Sequence, residues 1–269
     1  MQTAQEFFGT PENIAAMGRS TALWSLLRGD PRFAYYGRLV ALSQPVENTS
    51  DVLISLARLQ GASPCYFFPK SGVDTLFAEL ERKGLSADRH EHFQGGESAY
   101  MAARATLAEH HLPPDLTVRI LDGNTPDSVL AEVIQLMESC GVMPVPASFL
   151  RGSQGNGICL VACDPHGAPV AVATSIFMHP AESDHANTVF WGMLATRPDR
   201  RGEKVALVLG AKVIVHMWEE KGARAFMTGV RQDNASSTAL CNRLGVIDTE
   251  FAYAVCVDPQ TLGRDSVTK

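Results

Sequence analysis

No Cys-x-x-Cys pair and no His–Cys ligand spacing occur among the six cysteines, Cys65, Cys140, Cys159, Cys163, Cys241 and Cys256. That excludes the usual zinc and dithiol frameworks and points to small core residues in a reducing compartment. Cys159 and Cys163 would share one face of a strand, but about 13 Å apart along it, too far for a disulfide or a shared metal. No apolar run reaches membrane length. The opening, MQTAQEFFGTPENI, lacks the basic and apolar regions of a secretory signal, so the expected location is cytoplasmic, with no membrane partner. Neither G-x-G-x-x-G nor G-x-x-x-x-G-K-[ST] occurs, which disfavours a dinucleotide or P-loop fold. Basic charge is also scarce: 23 Lys and Arg stand against 29 Asp and Glu, a net charge of −6. No nucleic-acid partner is expected from that balance.

What the chain does have is concentrated between Val189 and Val246. Val189–Thr196 is β-branched, aromatic and apolar, as a buried strand requires. Arg197-Pro198-Asp199-Arg200-Arg201-Gly202 breaks it, and helical spacing then runs from about Glu203 to Lys221, closed by Gly222. The first-turn N–H groups of a helix have no intrahelical partner, and its dipole favours negative charge there. With Arg200, Arg201 and Lys204 at that end, the turn reads as an anion site for a phosphate-bearing ligand. A second strand, Ala225–Val230, leads into a helix that starts at Asn234.

Together these segments resemble the GNAT superfamily of acyl-CoA-dependent N-acetyltransferases. Thr196-Arg197-Pro198 stands at the end of its central strand, Arg201-Gly202-Glu203-Lys204-Val205-Ala206 in the place of its R-G-x-G-x-G/A pyrophosphate loop, and Asn234, Leu240 and Gly245 in its N-x-x-A-x-x-L-Y-x-x-x-G-F helix. Three positions depart: Lys204 replaces the loop's middle glycine, Cys241 the tyrosine and Val246 the phenylalanine. The resemblance implies an α/β (α+β) fold, a mixed sheet flanked by helices. It also implies acetyl-CoA as cosubstrate without a metal, a small-molecule primary amine as acceptor, and a homodimer as the assembly. Cofactor contacts would come from Leu194, Thr196, Arg201, Gly202, Glu203, Lys204, Val205, Ala206, Asn234 and Ser237, with the Leu194 N–H on the acetyl carbonyl. Cys241 takes the place of the proton donor to the leaving thiolate. The loop His179–Ala186 supplies candidate bases, Glu182 and His185, the latter with an ordinary pKa near ~6.5. A non-catalytic CoA-binding or regulatory module is the other reading that the altered loop and missing tyrosine leave open.

Upstream, Thr10-Pro11 opens a helix, Phe33–Leu42 reads as a strand, Ser50 caps a helix to Gln60, and Cys65–Phe68 is a short buried strand. A helix over residues 72–83, a strand over Asp88–Phe93 and a helix over 98–110 follow. That order matches the second half of a GNAT domain, and residues 76–85 look like a faded copy of the N-x-x-A-x-x-L-Y helix. Ser43–Asn48, in the place of the pyrophosphate turn, has neither glycine nor basic residue. His90 and His92, alternating with Arg89 and Glu91, read as a solvated strand face. Pro113-Pro114 stops both helix and ladder, so the expected division is a smaller, degenerate GNAT-like domain over 1–112, a catalytic GNAT domain over 113–259, and a polar tail over 260–269. Within the second, Thr117–Leu121 is a strand, Asp127–Ser139 a helix, and Ile158–Cys163 and Val170–Phe177 a hairpin.

Overall fold

The computed structural model describes residues 5–153 and 157–263. Helix α1 (Pro11–Leu27) opens where Thr10 accepts the Asn13 amide and Pro11 takes the first turn, which needs no N–H. Then come β1 (Phe33–Ala34), β2 (Ala41–Leu42), α2 (Thr49–Gln60), β3 (Ala62–Pro69), α3 (Val73–Arg82), β4 (Ser86–Gly95) and α4 (Glu97–Glu109). The rest of the chain forms β5 (Thr117–Ile120), α5 (Asp127–Ser139), α6 (Ala147–Leu150), β6 (Gly157–Cys163), β7 (Pro169–Phe177), β8 (Thr188–Thr196), α7 (Val205–Lys221), β9 (Ala225–Val230), α8 (Ala235–Arg243), β10 (Ile247–Val257) and α9 (Pro259–Leu262). Part of the expected tail therefore folds as α9, and residues 264–269 lie outside the described residues.

All ten strands join one sheet, in the order β1-β2-β3-β10-β4-β9-β8-β7-β6-β5. The order is symmetric about the β10/β4 pair. Strands β1 to β4 stand to the N-terminal half as β7 to β10 stand to the C-terminal half: an antiparallel pair, a helix crossover to a parallel strand, then a helix and a last strand. The two last strands are exchanged. β10 runs antiparallel to β3 of the first half, and β4 runs antiparallel to β9 of the second. The mixed α/β sheet is the expected class of fold.

Residues alternate between two buried clusters along β6: Cys159, Val161 and Cys163 face one, Ile158, Leu160 and Ala162 the other. Period-two alternation of this kind is what a strand covered on both faces demands. Helices α2, α3 and α5 cover the first face, α4, α7 and α8 the second. The Trp191 indole N–H donates to the Gly210 carbonyl at 3.1 Å and ties α7 to β8. A Cβ at Gly210 would stand 3.0 Å from the Trp191 ring, so the glycine sets the closeness of that contact.

The expected single strand over Phe33–Leu42 is instead two short strands, with Phe33 opposite Leu42 and residues 35–40 looping between them. The whole stretch is buried, which is why it reads as strand. Gly37, at φ +102°, breaks it, and a Cβ there would lie 2.9 Å from the Val145 Cβ. This loop matters because it carries Tyr36 and Arg38 into the cleft described next.

Candidate active site

Strands β8 and β9 pair in parallel only from Thr188–Phe190 against Ala225–Met227. Beyond Phe190 they separate, and a cleft of 680 Å³ opens between them. Near its middle β8 carries a bulge: the register with β7 shifts between Val172 and Thr174, and Met193 sits at φ 51°. A bulge leaves backbone groups outside the ladder and re-aims its residues. Leu194, which follows, and Thr196 both line the cleft, and the Thr196 hydroxyl is buried without a hydrogen-bond partner.

One end of the cleft is the turn into α7. Gly202 (φ +85°) and Lys204 (φ +61°) are both left-handed, and Lys204, as N-cap, makes no side-chain capping bond. Val205, Ala206 and Leu207 therefore present first-turn N–H groups to the cleft that they line. Of the three cations expected there, Arg200 is already paired, with Asp115 at 2.9 Å and Glu203 at 2.8 Å. Arg201 reaches only the Thr196 carbonyl, at 3.4 Å, and the Lys204 ammonium stands 3.5 Å from His110 Nδ1. These two remain for an anion.

The other end is built by both halves of the chain. Tyr36 stacks on Phe190 with ring centroids 4.1 Å apart, and the Arg38 guanidinium lies over both rings, at 5.7 and 5.9 Å. Tyr66 and Tyr253 meet edge to face at 4.7 Å, and both hydroxyls are buried without a hydrogen-bond partner. A β-bulge sets this up, two residues of β3, Tyr66 and Phe67, facing the single Tyr253 of β10. Gly229 makes room, since a Cβ there would be 2.7 Å from the Tyr253 ring. His90 on β4 is paired in register with Tyr253, lines the cleft, and has Nε2 3.3 Å from the Asp88 carboxylate. Burial pushes the Asp88 carboxyl up, but its contacts with His90 and Arg231 more than offset this and leave it below the usual range. Burial also drives the Tyr66 and Tyr253 phenols well above their ordinary pKa, so both stay protonated donors.

Of the residues anticipated for the cofactor, Leu194, Thr196, Arg201, Gly202, Lys204, Val205, Ala206, Asn234 and Ser237 all line this cleft. Glu203 does not, because its carboxylate is drawn away to Arg200. Asn234 caps α8 by accepting the Ser237 amide at 3.1 Å. Cys241 lines the cleft but is 3% exposed, and burial pushes its thiol up to about 12. Glu182 and His185 do not reach it. Glu182 is exposed, and the His185 ring stacks on Phe67 at 4.0 Å with Nε2 3.3 Å from the Gln44 side chain. The loop is folded back onto β3 rather than over the acceptor end. Tyr36, Arg38, Tyr66, His90 and Tyr253 escaped the sequence reading. The legible hint was Gly37 between a tyrosine and an arginine inside an apolar run. Among the described residues, no group of His, Cys, Asp and Glu is placed to hold a metal, and no helix is long and apolar enough to cross a membrane.

A central strand that bulges, a neighbour that splays from it, and a basic left-handed turn at its end define an acyltransferase of the GNAT type. Residues 132–246 match the model of the acetyltransferase (GNAT) family. Solved structures share the fold over most of the chain. A GCN5-related N-acetyltransferase from Kribbella flavida aligns with a TM-score of 0.56 at 14% identity, covering 91% of this chain and 96% of that one. A tandem GNAT protein from the clavulanic acid biosynthesis pathway aligns with a TM-score of 0.54 at 12% identity, covering 82% and 74%. No curated protein matches the sequence.

Proposed function

We propose that this acetyltransferase moves the acetyl group of acetyl-CoA to the primary amine of a small molecule by direct attack. The observation that carries the reading is the continuity of the cleft, from the Arg201–Ala206 turn past the β8 bulge to the aromatic end. CoA would lay its pyrophosphate on the first-turn N–H groups of α7, with Arg201 and Lys204 beside it. The arm would follow β8, with Thr196 as a polar contact and the Leu194 N–H aimed at the thioester carbonyl, where charge develops during attack. Asn234 and Ser237 would border the arm from α8.

In this reading His90, oriented by Asp88, takes a proton from the acceptor ammonium, and the freed amine forms the C–N bond as the C–S bond breaks. The thiolate accepts a proton from the Tyr253 hydroxyl, which the amide nitrogen's surplus proton then restores. The choice of Tyr253 over Cys241 rests on its hydroxyl, which lines the cleft with no other hydrogen-bond partner, and on the thiol being the weaker hydrogen-bond donor. For the sequence limits we propose 1–112 and 113–259 for the two halves, with 260–269 as the tail.

Calorimetric titration with CoA and acetyl-CoA tests the turn. The pair Arg201→Ala and Lys204→Ala should weaken binding tenfold or more, at ~1.5–3 kcal/mol for a charge-assisted hydrogen bond. Unchanged affinity would sink the assignment.

A further inference from the structure

Arg38 is 8% exposed, and its Nε and Nη2 are buried with no hydrogen-bond partner. The rings of Tyr36 and Phe190 hold the guanidinium in place but satisfy none of its N–H groups. A buried charge without a counter-ion is costly, and the fold offers none here: no described residue lining the cleft is Asp or Glu. The Tyr66 hydroxyl, 1% exposed on the residue, is a second buried donor without an acceptor. Two unsatisfied donors, one of them cationic, line the same cleft wall.

Their position separates them from the phosphate end. Phe190, under Arg38, is the last residue of β8 paired with β9, and Thr196 beside the basic turn lies six residues on. That is about 20 Å along a strand. Arg38 thus stands where the acyl end of the arm and the acceptor would meet. One guanidinium balances one negative charge, and its planar fork matches a carboxylate bidentately. A phosphate dianion would leave half its charge unbalanced in a buried site.

We infer that the acceptor is an amine that also carries a carboxylate, held by Arg38 with the Tyr66 hydroxyl as a further donor. The inference rests on the acetyltransferase reading of this cleft and names the acceptor class within it. The carboxylate anchors the molecule on the N-terminal half while its amine turns toward the thioester. The first half, which has no phosphate-binding turn of its own, thereby supplies the acceptor specificity.

The experiment uses matched pairs: L-lysine with cadaverine, L-phenylalanine with 2-phenylethylamine, L-glutamate with 4-aminobutyrate, and 2-aminoethyl phosphate as the phosphate arm. Each is tested for a melting shift of the CoA-saturated full chain and for thiol release from acetyl-CoA. An amino acid should stabilise the protein and react, and in the first two pairs the decarboxylated amine should not. Arg38→Gln should lower the acid's affinity or kcat/KM by roughly ten- to a hundredfold, with CoA affinity unchanged. Arg38→Lys should recover only part of it, because the charge returns without the fork. Tyr66→Phe gives a milder version should Arg38→Gln fail to fold. Equal response to acid and decarboxylated amine, an acid preference that survives both variants, preference for the phosphate, or no response to any carboxylate while CoA binds would each overturn the inference. Failure to bind CoA is a separate outcome and falls on the acetyltransferase reading. In that case the amino-acid melting shift of the CoA-free protein, with and without Arg38→Gln, still decides the carboxylate site.

Discussion

In each half of the molecule a strand runs through a turn into a helix beside a parallel strand, β2 into α2 and β8 into α7, and the two turns differ in character. Ahead of α2 the Thr49 hydroxyl accepts the Val46 amide at 2.7 Å and bonds back to the Val46 carbonyl at 2.6 Å. Asp51 sits in the first turn of that helix, so the dipole meets a negative charge from the chain itself. Ahead of α7 there is no acid in the first turn, and the one nearby, Glu203, is held by Arg200. The same topology thus closes on itself in one half and opens to a ligand in the other. Local charge decides this, an acid in the first turn of one helix against unclaimed cations at the start of the other. The first half fills its own end with Tyr36, Arg38 and Tyr66 and turns them toward the cleft of its neighbour.

The comparison breaks most severely if the halves are parted. Expressed alone, residues 1–112 and 113–269 should each lack cooperative unfolding, because each misses the strand that lies beside β3 or β9; co-expressed, they should copurify. A cooperative melt of either fragment alone would show that strand exchange is dispensable. Next in size, Tyr253→Phe should lower kcat by about a hundredfold, against a few-fold for Cys241→Ala, with CoA affinity steady in both. The reverse order in steady-state kinetics would return the proton donor to α8.

A third test is pH, at His92 on β4 and His179 in the loop before β8. Burial lowers His92 to about 4 and His179 to about 3. Both stay neutral in the fold while the unfolded chain takes up protons below its ordinary value near ~6.5. Stability is therefore full above that pH and falls as pH drops toward the folded values, by up to about 1.4 kcal/mol per unit for each histidine. Melting followed from pH 7 to 4.5 should show the decline, and His179→Phe should flatten it; identical slopes would contradict it. The smallest effect sharpens the contrast of the turns. Lys204→Gly relieves a left-handed non-glycine residue, worth about 1 kcal/mol, and should raise the melting temperature while weakening CoA a few-fold through the lost ammonium. A gain in both would mean that the side chain only crowds the site.

The segments legible in the sequence were those whose partners lie close along the chain. β8, the turn and α7 announce themselves by an apolar run, three cations and helical spacing, and the Asp164–Gly167 turn between β6 and β7 by its composition. What escaped depends on contacts far away in sequence. His90 and His92 alternate with charges, as on a solvated face, yet β4 is interior to the sheet because β9 and β10 flank it from about 140 to 160 residues downstream. The loop over residues 35–40 carries strand-forming residues and is buried, so only the backbone demand of Gly37 distinguishes it from a strand. Cys241 lines the cleft, but its thiol acidity follows from burial, which spacing does not reveal.

The strand exchange has a consequence in time. A ribosome releases the chain from its N-terminus at roughly 5–20 residues per second. β3 and β4 leave it first, whereas β10, which must lie between them, begins about 150 residues after β4 ends. For several seconds the nascent first half holds an open slot in its sheet, with two strand edges facing water and available to any passing strand. Lys70, Arg89 and Glu91, which flank this slot in the finished protein, place charges along it from the start. The order of synthesis thus makes the first half the last to be completed.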